Sequence, residues 1–374
     1  MIEVKQISSK KDIKKFVDFP TKLYKGCKEY SYPFRMDEIA MFNPKKNVSY
    51  ADCDVATFLA YKNGKIVGRI AGIIQKKYNN EHKKNNVRFT RFDAINDEEV
   101  AKALFDAVET WAKAKGMDTI HGPLGFSDLD CEGMIVEGFD EMCTFEERYN
   151  FKYYKDLMEK CGFIKDVDWL ERKIYAPKEI DPKVARIADA VQKRYKLRFA
   201  SEKSKNKLID KYQEQIFNLV DLAYKELYGV VELNEGMRKQ LLSQFKLYVN
   251  LKYMIVIVND KDEVISFGVA LPALNKALYK SKGRITLPAI FRLLKALAKP
   301  KVVDFAILAV RPDYQNKGVN ALTMKYLMDN MAKFGVEYCE TNICLEENVK
   351  INQTWEYFKH DQHRRRRAWK KSIN

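Results

Sequence analysis

Two kinds of hydrophobic spacing alternate along the chain. From Val55 to Ile74, VATFLAYKNGKIVGRIAGII, two strand-like apolar runs flank Asn63-Gly64, a pair suited to the positive φ angles of a tight turn, which predicts a β-hairpin. VRFTRFDAI (Val87–Ile95) predicts a further strand. In DEEVAKALFDAVETWAKAKG, the apolar residues Val100, Leu104, Val108 and Trp111 recur at helical spacing, and a glycine closes the run, which predicts a helix. MDTIHGPL then reads as a strand. The same succession returns about 200 residues later. It consists of the hairpin KYMIVIVNDKDEVISFGVAL (Lys252–Leu271), the strand KVVDFAILAV, the helix VNALTMKYLMDNMAKFG and the strand VEYCETNICL. The helix carries an apolar stripe at Val319, Leu322, Tyr326, Met331 and Phe334.

The repeat predicts two halves of one α/β (α+β) architecture, each a mixed, mostly antiparallel sheet flanked by helices. Between them lies YAPKEIDPKVARIADAV, punctuated by Pro177 and Pro182, with Asp181-Pro182 fitting a helix N-cap followed by proline in the first turn. The expected boundary is near Pro177, giving domains 1–176 and 177–374. The competing reading is that Pro182 starts a helix inside one large domain.

Composition narrows the class. A length of 374 residues allows about two or three domains, and 46% hydrophobic with 12% aromatic residues is globular composition. No segment approaches the 18 or so uninterrupted apolar residues of a spanning helix, and the first residues do not read as a signal peptide. A cytoplasmic protein with no membrane partner is therefore expected. The seven cysteines are scattered with no CxxC pair, and histidines number only 4, so no metal site is expected. The formal net charge of +16 suits an anionic ligand. Its lysines are spread along the chain and no nucleic-acid motif accompanies them, so no nucleic-acid partner is expected.

The candidate chemistry begins at VRPDYQNKGVNALTMKYL, Val310 to Leu327, where an apolar strand gives way to a helix. A helix N-terminus leaves unpartnered N–H groups and a partial positive charge, which suit an anion. Gly318 allows close approach or positive φ, and Lys317 and Arg311 add charge. A plain structural turn is the alternative. The pattern V-x-P-x-x-Q-x-x-G before a helix resembles the acyl-CoA pyrophosphate loop of the GNAT superfamily of acyl-CoA N-acyltransferases. The resemblance implies that Val310, Gln315, Asn316, Lys317, Gly318, Val319 and Asn320 hold the CoA pyrophosphate. Asn320 departs from the family's small Gly or Ala, and its side chain is expected either to cap the helix or to crowd the phosphate. LEENVKINQTWEYF resembles the family's strand end, asparagine and tyrosine-bearing helix, which adds Asn348 to the cofactor-binding set.

The first half resembles the same fold with the phosphate site lost, because Asp97, Glu98 and Glu99 at its helix start would repel a pyrophosphate. YNFKYYKDLMEKCGF (Tyr149–Phe163) is similar to the family's later helix. Tandem GNAT-like halves over nearly the whole chain resemble uncharacterised bacterial acetyltransferase-like proteins, and also the layout of Fem-type aminoacyltransferases and N-myristoyltransferases.

In the family a tyrosine on the late helix protonates the leaving thiolate; the matching residue is Tyr357, for which core packing is the alternative. Glu340, on the strand that flanks the acyl group, is the candidate base, with Asp304 behind it; a salt-bridged carboxylate is the plain reading of either. His363–Arg367, HRRRR, is the densest charge in the chain. A solvated edge strand explains it, or Arg364 and Arg366, on one face, bind an acidic acceptor or a CoA phosphate. The loop Gly122–Asp140 is glycine-punctuated and longer than a connection needs, and either lines a cleft between the halves or is an ordinary surface loop. The expected function is an N-acyltransferase, moving acetyl or another non-aminoacyl group from acyl-CoA to a small-molecule amine, an acidic one where the arginines bind it. A Fem-type aminoacyltransferase and a non-catalytic GNAT-fold binding protein are the alternatives. The acceptor and the oligomeric state are left open.

Overall fold

A computed structural model of the chain describes residues 1–373. In chain order it runs β1 (Ile2–Ile7), α1 (Lys10–Leu23), α2 (Arg35–Met41), β2 (Cys53–Lys62), β3 (Lys65–Gln75), α3 (Lys76–His82), β4 (Asn86–Ala94), α4 (Glu98–Lys113), β5 (Thr119–Gly122), β6 (Met134–Glu137), α5 (Tyr154–Lys160) and β7 (Ile164–Tyr175). The later elements are α6 (Pro182–Arg194), β8 (Arg198–Phe199), α7 (Lys205–Tyr224), α8 (Glu235–Tyr248), β9 (Met254–Val258), β10 (Val264–Pro272), α9 (Asn275–Tyr279), α10 (Leu287–Ala298), β11 (Val302–Val310), α11 (Val319–Phe334), β12 (Tyr338–Thr341), β13 (Cys344–Leu345), α12 (Val349–Trp355) and β14 (His360–Ser372).

The chain divides into two compact units, but not by one cut near Pro177. The first holds Met1–Leu170, Asn275–Ile290 and Arg364–Asn374; the second holds Glu171–Leu274 and Phe291–His363. The physical reason is the pairing of distant segments. Lys370 of β14 lies opposite His121 of β5, and Arg366 opposite Ile135 of β6, while Trp369 and Ile373 are buried in the core that α4 and α5 cover. The C-terminal strand thus completes the first unit's sheet.

In the first unit β1 to β4 form an antiparallel meander, with β5 parallel to β4. Asn63 and Gly64 take the positive φ angles (52° and 74°) that their hairpin turn requires. The stripe of α4, Val100, Leu104 and Val108, is buried against the sheet as its spacing predicts.

The second unit repeats the plan. β9 and β10 are an antiparallel hairpin, β11 is antiparallel to β10, and β12 is parallel to β11. Residues 173–175 of β7 pair antiparallel with β12. Gly268 on β10 lets α11 sit close: a Cβ there would fall 2.8 Å from Thr323 and 3.3 Å from Leu327. Val319, Leu322, Met324, Leu327, Met328 and Met331 fill the layer between helix and sheet. The cysteines are all free thiols, and Cys53, Cys131, Cys143, Cys161 and Cys339 are buried.

Candidate functional site

β11 and β12 pair only from Val302↔Tyr338 to Phe305↔Thr341. Beyond that point β12 ends, while β11 continues to Val310, paired with β10 alone. Residues 306–308, buried no longer, mark where the two parallel strands part. The chain then makes a short 3-10 turn at Pro312–Tyr314 and enters α11.

The segment between is shaped for an anion. Asn316 and Gly318 both take left-handed φ angles, 58° and 81°. None of the N–H groups from Asn316 to Asn320 donates to a backbone carbonyl among the described residues. A run of amides in such alternating backbone geometry, at the start of a helix with no acidic residue in its first turn, forms an anion-binding concavity. Gln315 stands outside that run: its amide bonds the Arg311 and Pro312 carbonyls. Its side chain donates to the Val310 carbonyl and accepts from Lys350 Nζ at 3.2 Å. It braces the turn.

Two charges expected to help are placed differently from one another. Arg311 is engaged by Asp313 at 2.7 Å and Glu263 at 3.1 Å, so its charge is already balanced. Lys317 has its ammonium over the rings of Tyr195 and Tyr314, at 5.5 and 5.3 Å, and is the cation beside the loop. Asn320 neither caps α11 nor turns into the amide run: its Nδ2 donates to Thr354 Oγ1 on α12 at 3.1 Å. Asn348 caps α12, accepting from the Ile351 amide, so its side chain serves that helix directly.

Glu340 is buried on β12, opposite Asp304 of β11 and Lys173 of β7. Its carboxylate lies 3.0 Å from His363 Nε2. Glu171, fully buried, brings a second carboxylate, and one ligand-capable atom from each of Glu171, Glu340 and His363 lies within 4.8 Å of the others. Two carboxylates around one imidazole can share a proton or hold a divalent cation, and this is the one such group of three among the described residues. Sequence reading found Glu340 but not its partners. His363 was absorbed into the charge of HRRRR, and Glu171 sits in an unremarkable strand; only strand pairing brings the three together.

Tyr357 follows α12 and is 52% exposed, with Lys183 Nζ 6.0 Å from its ring. It is not a core residue; the packing role belongs to Trp355, which is buried edge-on to Phe305 at 5.6 Å.

Arg364 and Arg366 do share a face, but that face is inward, in the first unit. Arg364 donates to the Gly138 and Glu141 carbonyls, and Arg366 to the Arg148 carbonyl at 2.6 Å. Both are buried, so β14 is not a solvated edge, and these arginines do not present a surface to an acceptor. Arg365 and Arg367 grip Asp168. Burial opposes ionisation there, but Arg367, Lys165 and Arg365 hold that carboxyl down to about 2.

The first unit's counterpart of the anion loop is filled by its own carboxylate. Asp97 is the N-cap of α4, accepting from the Glu99 and Val100 amides, and Lys62 neutralises it at 2.7 Å. Its tyrosine-bearing helix is equally closed, since Tyr154 accepts from the Ala94 amide and lies 3.1 Å from Tyr24 in a buried group with Asp93 and Arg69. The loop 122–140 is largely buried within its own unit. Asp130 pairs with Arg91 at 2.8 Å and Gly133 N bonds the Pro123 carbonyl, so the loop folds into the unit's interior. Pro123 and Gly133 of the loop help to line a small cavity of about 50 Å³, together with Arg69, Arg91, Asp93 and Arg148. One CoA per chain is therefore expected. Calorimetric titration with CoA checks it, and two independent sites would contradict the reading.

No family model matches the chain. Protein YghO of Escherichia coli K12 is 25% identical over 382 residues, covering 99% of this chain and 95% of that protein. The bacterial ceramide synthase of Caulobacter vibrioides is 24% identical over 385 residues, covering 100% and 98%. Among solved structures, a tandem GNAT protein from the clavulanic acid biosynthesis pathway superposes with a TM-score of 0.58 at 11% identity, over 100% of this chain and 99% of that one. The fold is the tandem GNAT fold.

Proposed function

We propose that the protein is an acyl-CoA-dependent N-acyltransferase that moves the acyl group directly from the thioester to an amine, with one CoA site in the second unit. The observation that carries this is the coincidence, within one unit, of the free amide run at 316–320, the parting of β11 from β12, and the buried Glu340–His363 pair.

The pyrophosphate lies on the amides of Asn316 to Asn320, with Lys317 beside it, and the thioester enters where the strands part. Glu340, held by His363, takes a proton from the acceptor ammonium or amine. The nitrogen adds to the thioester carbonyl, a C–N bond forms, the C–S bond breaks, and Tyr357 protonates the departing thiolate. The fate of Asn320 weakens the non-catalytic reading, because its side chain is tied to Thr354 rather than set against the phosphate. A Fem-type transferase needs no CoA site, and the open amides speak for one.

Acetyl-CoA is the expected donor from the loop's resemblance, and an amine from the fold's chemistry. The ceramide synthase of C. vibrioides matches this chain end to end, which favours a long-chain amino alcohol as acceptor and a longer acyl donor as a second reading. The inward turn of Arg364 and Arg366 leaves no support for an acidic acceptor. A thiol-release assay with acetyl- to palmitoyl-CoA, crossed with small amines, amino acids and a sphingoid base, tests both readings. Release of CoA with none of these pairs, in a protein that binds CoA, would point to the binding-protein alternative.

Tyr357→Phe removes one hydroxyl from a half-exposed ring, so melting temperature and CoA affinity should hold while kcat falls by roughly 100-fold. The check is steady-state kinetics beside thermal melting. Turnover within a factor of about two of the parent would remove Tyr357 from the mechanism.

A further inference from the structure

The chain from Lys276 to Lys301 contains eight Lys and Arg residues and no Asp or Glu. At its centre α10, Leu287–Ala298, has an unusual distribution of apolar residues. Ala289 is buried, and Leu293, Ala296 and Leu297 are partly covered; these lie on one side of the helix. A second apolar stripe, Leu287, Ile290, Phe291, Leu294 and Ala298, recurs at i, i+3, i+4, i+7 and i+11 and faces solvent. Leu287 is 74%, Phe291 72% and Leu294 57% exposed. At 100° per residue, Arg292, Lys295 and Lys299 fall on one flank of that stripe. Lys295 and Lys299 have no carboxylate partner among the described residues.

Exposed apolar residues scattered singly are ordinary, but a contiguous stripe of large side chains on one helix marks an interaction surface. Charge decides what covers it. A second copy of the chain would bring eight like charges against eight, with no acid in the segment to pair them. An anionic bilayer offers both hydrocarbon for the stripe and phosphates for the flank. Twelve residues span about 18 Å, too short to cross a hydrocarbon core of about 30 Å, so such a helix lies in the plane of the interface.

We propose that α10 docks the protein on anionic lipid membranes, with Leu287, Ile290, Phe291 and Leu294 entering the acyl region and Lys295 and Lys299 meeting headgroup phosphates. This reverses the expectation of no membrane partner, which rested on the lack of a spanning segment. No helix is long and apolar enough to cross a membrane, and docking needs none.

The test is vesicle flotation of the full chain without CoA or acceptor, so its outcome is independent of the acyl-transfer reading. Vesicles of equal parts phosphatidylglycerol and phosphatidylcholine should carry the parent upward at low salt, and phosphatidylcholine alone far less. Phe291→Ser with Leu294→Ser should lower the partition coefficient by roughly ten-fold or more. Lys295→Gln and Lys299→Gln should each lower it by roughly five-fold. Circular dichroism and melting curves should match the parent, since all four side chains are at the surface. A parent that stays at the bottom of the gradient with anionic vesicles overturns the proposal, as does a serine double variant that floats like the parent. If sedimentation shows a dimer that the double variant dissolves, and no vesicle binding, the stripe is a contact between copies and the membrane assignment fails.

Discussion

Gly318→Asp is expected to abolish measurable CoA binding, with a loss of affinity of at least about 100-fold, whereas Gly318→Asn should lose far less. Gly318 holds φ 81°, a region that Asp and Asn tolerate better than other side chains at a cost of order 1 kcal/mol. A Cβ there would meet Val191 and Ile187 methyls at 3.0 and 3.1 Å, so either variant must shift its neighbours by a few tenths of an ångström. Strain and crowding are thus shared by the two variants, and charge is the difference. A carboxylate about 4 Å from a pyrophosphate charge costs about 4 kcal/mol at an effective dielectric of 20. That exceeds the roughly 2.7 kcal/mol of a 100-fold loss. Calorimetry with CoA on the parent and both variants measures it. If the aspartate variant binds as the parent does, the pyrophosphate is not held at 316–320. If Asn and Asp lose affinity equally, the site depends on shape and the electrostatic account is wrong.

Many elements of both units were legible because their signals are local. Asn63-Gly64, the stripe of α4, the N-cap Asp181 with Pro182 behind it, and Gly335 closing α11 at φ 71° each act within a few residues, and each stands where the spacing put it. What the chain does between distant segments left no such trace. β14 pairs with β5 across some 250 residues, so HRRRR looked like solvated charge. Arginines can be buried there only because backbone carbonyls at Gly138, Glu141 and Arg148 are waiting for them. Cutting the chain at Pro177 assumed that halves of the sequence are halves of the structure, and the C-terminal strand breaks that assumption.

The candidate site was legible in part for the same reason. Its loop is one continuous stretch with a turn signal, whereas its buried acid–base group is drawn from three separate strands, β7, β12 and β14, with Glu171 on β7 about 170 residues before Glu340. Rotamer choices were illegible altogether. Capping α11 and crowding the phosphate were both sterically reasonable for Asn320; the bond to Thr354 comes from where α12 lies. For α10 the signal was present in the sequence. An apolar helix flanked only by bases reads as core until its exposure is known, because periodicity does not say which of two apolar faces meets the protein.

Glu340→Gln should lower kcat by about 10²- to 10⁴-fold, the range a positioned general base contributes, with CoA affinity and acceptor KM little changed. Glutamine keeps the shape of the buried side chain, so the melting temperature should report whether the fold has survived. His363 stands 3.0 Å from Glu340 and is assigned as its positioning residue, so His363→Gln should cost less, roughly ten-fold in kcat, again without loss of CoA binding. Glu171 makes the experiment sharper, because the same three residues have the composition of a cation site. Dialysis of the parent against a chelator separates the roles: activity that survives dialysis and falls with Glu340→Gln assigns proton transfer. Activity lost on dialysis and restored by zinc would make Glu171, Glu340 and His363 ligands instead. Equal loss from the glutamine variants at 340 and 363, with lowered melting temperatures in both, would assign the pair to the core of the second unit.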